Sequence, residues 1–455
     1  MNANPKPQNP GSSRGMLPLL TSVMLLLTLV LLASVLRERL QREKTEQLLS
    51  GFDLERVLSD IERYHVRGLT RDEVIEGILT GLAERLDRYA RCYTPDELKS
   101  HMDEMEGSFT GVGIRVVKIG KYITVVHPIH DTAAEKAGIK TGDRLVEADG
   151  HSLVDLPLEE AVKYLRGPVN SLLELKVLRE GSDDPVAVKI VRAPVPSTSL
   201  SYPHMVSDEV GYIRVEEFTR STPDDLKREV KRLEEKGLKA LILDLRHNGG
   251  GLLNSGIAVA DLFLSKGIIV TVKNGRQDRP DLDIYKAAAG DELEGLPLAV
   301  LVDGRTASAS EILAAALQDH GRARVIGTKT YGKGTVQQLF TEGLGGFGLK
   351  FTVAYFYTPS GKRIDGEGVT PDIEAKQSED DLAKALLRYS TEEIRAFLPG
   401  YEPDLSQWKM SLKELLSFPD VMIPPALKAL SEPERKTRPL PTGVPWEPID
   451  TGTAQ

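Results

Sequence analysis

Apolar residues between positions 37 and 105 recur at three- and four-residue intervals, as in FDLERVLSDIERYHV (52–66) and TRDEVIEGILTGLAERL (70–86). That spacing predicts a small helical module with solvated charged faces. From 106 to 195 the pattern shortens to β-runs closed by glycine turns: GVGIRVVKIG, YITVVHPI, LLELKVLREG and VAVKIVRA, with short helical pieces at AAEKAG and LEEAVKYLRG. From 196 to 380 strands alternate with helices. VGYIRVEEF, ALILDLRHN and PLAVLVD read as strands, and the spans 223–236, 252–264 and 308–319 read as helices. This alternation predicts an α/β domain. GTKTYGKGTVQQLF and LKFTVAYFYTPSGKRIDG add further strands. Residues 381–455 form an amphipathic helical extension that ends in a Pro-rich tail after 432.

The first 36 residues follow none of these patterns. A Pro/Asn/Ser-rich lead (1–15) precedes MLPLLTSVMLLLTLVLLASVL (16–36), 21 residues without a charge. About 20 such residues cross a ~30 Å hydrocarbon core. No A-x-A-type site follows, so the segment is expected to be a retained signal anchor, a single membrane pass. Lys6 and Arg14 precede it, and Arg37, Arg39, Arg42 and Lys44 follow it. Counted naively, that asymmetry leaves the body in the cytoplasm, but long domains translocate regardless of it.

At 455 residues the chain exceeds one ordinary core, and 40% hydrophobic with 27% charged residues is a globular composition. A net charge of −9 supplies no basic footprint for nucleic acid. Cys92 is the only cysteine, which excludes an internal disulfide and any multi-cysteine metal site. Its context, RCYTPDEL, reads as a surface turn leading into a helix. The eight histidines lack H-E-x-x-H spacing, so no protein-built metal site is expected.

Three segments carry chemistry. LILDLRHNGGGLL ends a strand in Gly249–Gly251 ahead of a helix, a junction whose N–H groups suit an oxyanion. GRTASASEIL puts Ser308 at a helix mouth, and its S-x-x-E spacing to Glu311 is that of a capping box. TYGKGTVQ places Lys333 between two glycines. Serine, neutral lysine and glycine N–H groups are a complete acyl-transfer set without histidine. Neither G-x-S-x-G nor S-x-x-K is present around Ser308.

DTAAEKAGIKTGDRLVEADGHSL resembles the signature of PDZ domains, and Gly111, Val112, Gly113 and Ile114 resemble the loop and strand with which they hold a peptide's terminal carboxylate. In combination, DLRHNGGGLL, ASASEI, YGKGTVQ and GVTPDI resemble the C-terminal processing peptidases, or tail-specific proteases, from about 75 to 380. LDRYARCY departs from that family's usual Asp-Pro, His or Tyr, Ser or Thr. The resemblance implies a crotonase-like serine protease core beside the PDZ domain. It implies Ser308 as nucleophile, Lys333 as general base and Gln337 as the residue that orients it. It further implies oxyanion donors at the N–H groups of Gly251 and Ala309, and no cofactor. Gln337 reaches Lys333 only if residues 334–337 turn. Arg166, ending LEEAVKYLRG, is read either as coupling peptide docking to the protease or as a helix C-terminal charge. Implied partners are protein or peptide substrates engaged by their C-terminal tails; an adaptor and a homo-oligomer stay open. The implied location is the periplasmic face of the inner membrane. A tethered PDZ scaffold with an inactive core, and a crotonase-like acyl-thioester enzyme, are the alternatives.

Overall fold

The computed structural model describes residues 50–432, apart from 106–107, 180, 183, 197–198, 275–281, 291 and 294. The 16–36 segment lies outside the described residues, as does the tail from 433. None of the described helices is long and apolar enough to cross a membrane. The chain divides into two compact units, residues 1–74 and 75–455. In the first, α1 (Leu54–Tyr64) starts at Asp53, whose side chain accepts the Arg56 N–H at 3.0 Å. Helix α2 (Arg71–Leu86) begins there and ends in the second unit.

The helical module is broken by a strand. After α2 comes β1 (Arg91–Tyr93), then α3 (Pro95–Met105). The RCY segment is therefore not a surface turn: Arg91 pairs with Lys350 and Tyr93, 4% exposed, with Gly348. A three-residue strand has no periodicity of its own; the distant partner creates it.

The next module contains β2 (Ser108–Gly111), β3 (Ile114–Ile119), β4 (Tyr122–Pro128), α4 (Ala133–Lys136), β5 (Arg144–Ala148), β6 (His151–Ser152), α5 (Leu158–Leu165), β7 (Leu172–Leu178), β8 (Val186–Val191) and β9 (Ala193–Pro196). Its sheet runs β3-β4-β5-β7-β8, leaving β3 as an edge, while β2 pairs with β9 and joins the module's entry to its exit. Ile123, Val125, Leu145, Leu173, Leu175 and Ile190 fill its core.

The α/β region contains β10 (Leu200–Met205), β11 (Val210–Val215), α6 (Thr222–Glu234), β12 (Ala240–Asp244), α7 (Leu253–Asp261), β13 (Ile268–Asn274), β14 (Leu282–Lys286), β15 (Leu298–Val302), α8 (Ala309–Asp319), β16 (Ala323–Gly327), β17 (Thr335–Phe340), β18 (Gly348–Tyr357) and β19 (Ile373–Glu374). The central sheet runs β10-β11-β12-β15-β16-β19 and is parallel from β11 onward. A second sheet, β1-β18-β13-β14 with β17 also on β18, packs beside it.

ALIL (240–243) is continuously apolar because both faces of β12 are buried. Leu241 and Leu243 join the core under α6, α7 and α8, while Ile242 joins a separate cluster with Tyr212, Ala299, Leu301 and Ile326. That second face is covered by the C-terminal extension, α9 (Glu379–Phe397), α10 (Leu412–Leu416) and α11 (Ile423–Ser431), through Tyr389, Met422, Ala426 and Ala429. Asp420 of the extension pairs with buried Arg246 at 2.8 and 3.0 Å. Arg246 is also paired with Asp244. Burial pushes the Asp244 carboxyl up, but Arg246 and Arg214 outweigh it and hold it at about 2. The other end of α9 meets the β3–β4 sheet. Glu393 takes both ends of the Arg115 guanidinium, Phe397 packs on His127 with ring centroids 4.6 Å apart, and Ile394 and Tyr401 cluster with Val117 and Val126.

Candidate active site

Ser308 stands immediately before α8 with φ 59° and ψ −119°, a conformation L residues rarely adopt. With Glu311 it forms the capping box that the spacing predicts, and the Glu311 N–H also donates to the Ser308 carbonyl oxygen at 2.9 Å. Glu311 does more than the capping spacing predicts. Its carboxylate is fully buried, and Oε2 accepts the Ser308 N–H at 2.9 Å and the Lys333 N–H at 2.8 Å. Oε1 accepts the Thr330 hydroxyl at 2.5 Å and the Gly332 N–H at 2.7 Å. Burial raises the Glu311 pKa, and these donors oppose the rise.

The glycine junction is pinned by Asn248, which is fully buried. Its carbonyl accepts the Ala307 N–H at 2.9 Å and the Ser310 hydroxyl at 3.2 Å, and its side chain accepts the Gly250 N–H at 2.8 Å. The loop thereby lies against Ser308: a Cβ on Gly250 would sit 2.7 Å from Ser308 Cβ. Gly251, at φ 138°, is pressed on Phe218, where a Cβ would lie 2.3 Å from the carbonyl oxygen. No hydrogen bond engages the N–H groups of Gly251 and Ala309 among the described residues. Two free donors beside a strained serine are the elements of an oxyanion hole.

The Lys333 loop rests on GVTPDI, a motif whose part the sequence alone did not reveal. Val369 N–H donates to Thr330 Oγ1 at 2.7 Å, and Gly368 is so close to Thr330 that a Cβ would lie 2.6 Å from its carbonyl oxygen. Lys333 is half-buried, with Nζ 4.8 Å from the Tyr89 ring centroid. Burial lowers its pKa; Lys350 and Arg88 add to that, while Glu311 and Asp87 oppose it. The opposing carboxylates come from outside the TYGKGTVQ segment, where sequence proximity could not show them. No hydrogen bond joins the side chains of Ser308 and Lys333 among the described residues. Residues 335–340 continue as a strand and do not turn, with a bulge between Val336 and Gln337. Gln337 Nε2 donates to Thr335 Oγ1 at 2.7 Å and to Thr352 Oγ1 at 3.4 Å.

His247 belongs to another arrangement. Its Nε2 lies 3.1 Å from Asp303 Oδ2, and the pair borders a cavity of about 190 Å³ that Ser308 and Lys333 do not line. In the β-rich module, Gly113 has φ 83° and lies against Thr132. The carbonyls of Val112 and Gly113 are taken by Ala134 and Ile129 N–H groups, and the N–H groups of Val112 and Gly113 are unengaged among the described residues. Gly111 ends β2 and Ile114 opens the edge strand β3. Arg166 is the exposed C-cap of α5. Among the described residues no group of three or more His, Cys, Asp or Glu side chains could hold a metal ion.

The PDZ domain profile matches residues 123–179, and that of Peptidase family S41 matches 209–375. Fold and site thus define a class, a serine peptidase carrying a PDZ domain. The chain is 40% identical over 309 residues to the carboxy-terminal-processing protease of Bartonella bacilliformis, covering 67% of this chain and 70% of that one. It is 36% identical over 307 residues to the carboxyl-terminal-processing protease of a Picosynechococcus species, covering 67% and 73%. Among solved structures, the photosystem II D1 C-terminal processing protease is 29% identical, with a TM-score of 0.41 over 71% of this chain and 87% of that one. The chain belongs to the carboxy-terminal-processing proteases of peptidase family S41.

Proposed function

We propose that this protease cleaves proteins by a Ser308–Lys333 mechanism, acting on chains selected through their C-terminal tails. The observation that carries the reading is the shared Glu311 oxygen, which brings the backbones of serine and lysine to one point. Neutral Lys333 takes the Ser308 hydroxyl proton as Oγ attacks the scissile carbonyl. The N–H groups of Gly251 and Ala309 receive the oxyanion. The resulting ammonium protonates the leaving amine, and water then releases the acyl-enzyme with Lys333 again as base. The Ser308–Lys333 hydrogen bond, not formed among the described residues, forms when substrate closes the site. Gln337 has no part in this reading: residues 335–340 are strand, and its Nε2 is bound to Thr335 and Thr352. The parallel sheet with a glycine N–H pair at its mouth supports a crotonase-like core.

Peptide tails dock as an added strand on β3, with their carboxylate at the Val112 and Gly113 N–H groups. The charge-free 16–36 segment supports an inner-membrane anchor, and the family resemblance supports a catalytic body in the periplasm. The test is digestion of a disordered protein by the full-length enzyme, followed on gels. Ser308→Ala and Lys333→Ala are each expected to be folded and inactive, and His247→Ala to retain turnover. Activity that survives Lys333→Ala and is lost in His247→Ala overturns the assignment of the base.

A further inference from the structure

Lys333 does not stand in an aliphatic pocket. Its Nζ lies 4.8 Å from the centroid of the Tyr89 ring, and the loop that brings this ring is fixed by a single carboxylate. Asp87 Oδ1 accepts the Tyr89 N–H at 2.8 Å, and Oδ2 accepts the Thr352 N–H of β18 at 2.9 Å. The loop and β18 wall a cavity of about 480 Å³, bordered also by Arg88, Thr335 and Asp365. The Tyr89 hydroxyl is buried with no hydrogen-bond partner. A buried polar group left unpaired is a cost, so what the site uses is the ring and not the hydroxyl.

We propose that Tyr89 is a positioning residue whose ring seats the Lys333 ammonium and so raises the pH at which Lys333 gives up its proton. An aromatic face attracts a cation through its quadrupole, and the attraction grows as water is removed. The ring therefore works against the desolvation that favours neutral lysine, and the two together set when the amine is free. The charged groups that face the lysine are Lys350 from β18, Glu311 from α8, and Asp87 and Arg88 from the Tyr89 loop. Tyr331 and Asp365 face the Tyr89 ring. Arg88 itself lies over the Tyr89 ring, 4.6 Å from its centroid, so each ring exchange is also made in an Arg88→Gln background, where only the lysine's contact with the ring is lost. The inference deepens the Ser308–Lys333 reading, which gives the proton its use; the seat itself stands on the geometry.

The experiment measures Lys333 directly. The full-length protein is acetylated competitively across a pH series, and the Lys333 peptide is quantified by mass spectrometry beside the kcat/KM profile. Tyr89→Phe keeps the ring and is expected to leave the Lys333 midpoint in place. Tyr89→Leu is expected to move it down by about half to one pH unit, the size of a partly desolvated cation–π contact. If the branched leucine side chain loosens the loop, Tyr89→Met supplies the same test with an unbranched one. An unmoved midpoint in a folded aliphatic variant overturns the proposal, as does an equal shift in Tyr89→Phe. A moved acetylation midpoint with an unmoved kcat/KM profile upholds the seat and instead removes Lys333 as the base.

Discussion

The backbone N–H groups of Ser308 and Lys333 donate to the same oxygen, Oε2 of Glu311, at 2.9 and 2.8 Å. A capping carboxylate thereby sets the spacing between the Ser308 turn and the Lys333 loop. Glu311→Gln keeps the shape but offers one acceptor oxygen where two are in use. Either the Ser308 and Lys333 amides or the Thr330 and Gly332 donors then face an NH2 group. We expect a loss of about 2–6 kcal/mol in stability, at ~1–3 kcal/mol for each of the two orphaned buried donors. We also expect kcat to fall at least about tenfold, in proportion to misplacement of the serine. Thermal unfolding and steady-state kinetics check both; an unchanged kcat removes the positioning role.

At Gly251 space and chemistry coincide. Alanine there meets the Phe218 carbonyl oxygen at 2.3 Å with φ at 138°, so the backbone must move and take its N–H with it. Gly251→Ala is expected to lower kcat by roughly 10²–10³, the scale of losing one oxyanion donor. Binding of a tail peptide, measured by fluorescence anisotropy, is expected to be unaffected.

The pH dependence follows from the surroundings of Lys333. Burial shifts its pKa below the ordinary 10.5, so the ammonium predominates below the shifted value and the free base above it. Activity is expected to rise with pH through one ionisation below 10.5, and to fall away as pH drops through it. A bell centred near the ordinary histidine range, abolished in His247→Ala, is the outcome that contradicts this.

Arg115 and Glu393 tie the edge strand β3 to α9. The pair is partly exposed, at 37% and 32%, so its worth is discounted to the ~0.2–1 kcal/mol of surface ion pairs. Glu393→Gln is expected to change the ratio of kcat/KM for apolar-tailed over charged-tailed substrates by no more than about fivefold. The exchange Arg115→Glu with Glu393→Arg is expected to restore the ratio. Equal ratios in all three proteins exclude α9 from tail discrimination.

The membrane proposal has its own check. Protease added to spheroplasts is expected to digest the body of the chain while the N-terminus remains membrane-bound. A mature N-terminus near residue 36 rules out retention, and protection of the body rules out the orientation.

What the sequence disclosed was local or alternating. The α/β order of 196–380, the helix after Ser308 and the glycine junction all lie within short windows. What it hid was made by distant partners. The β1 strand exists because β18 accepts it. Tyr89 meets Lys333 across more than half of the chain, and Asp87 and Glu311 oppose the lysine's shift from other elements. Asn248 was in view inside RHNGGG, yet only the fold shows it holding Ala307 beside Ser308. The capping-box spacing identified Glu311 but not its second duty, because the Lys333 loop arrives 22 residues later.

The extension that buries the second face of the central sheet also fixes when this enzyme can exist. Asp420, the partner of Arg246, and Met422, Ala426 and Ala429, the cover over Ile242 and Ile326, are among the last described residues. Until they are synthesised, the strands that carry the glycine junction present a bare apolar surface and a buried-type arginine without its second carboxylate. A nascent chain of this protein therefore stays incomplete as a catalyst until these residues of the extension have been delivered.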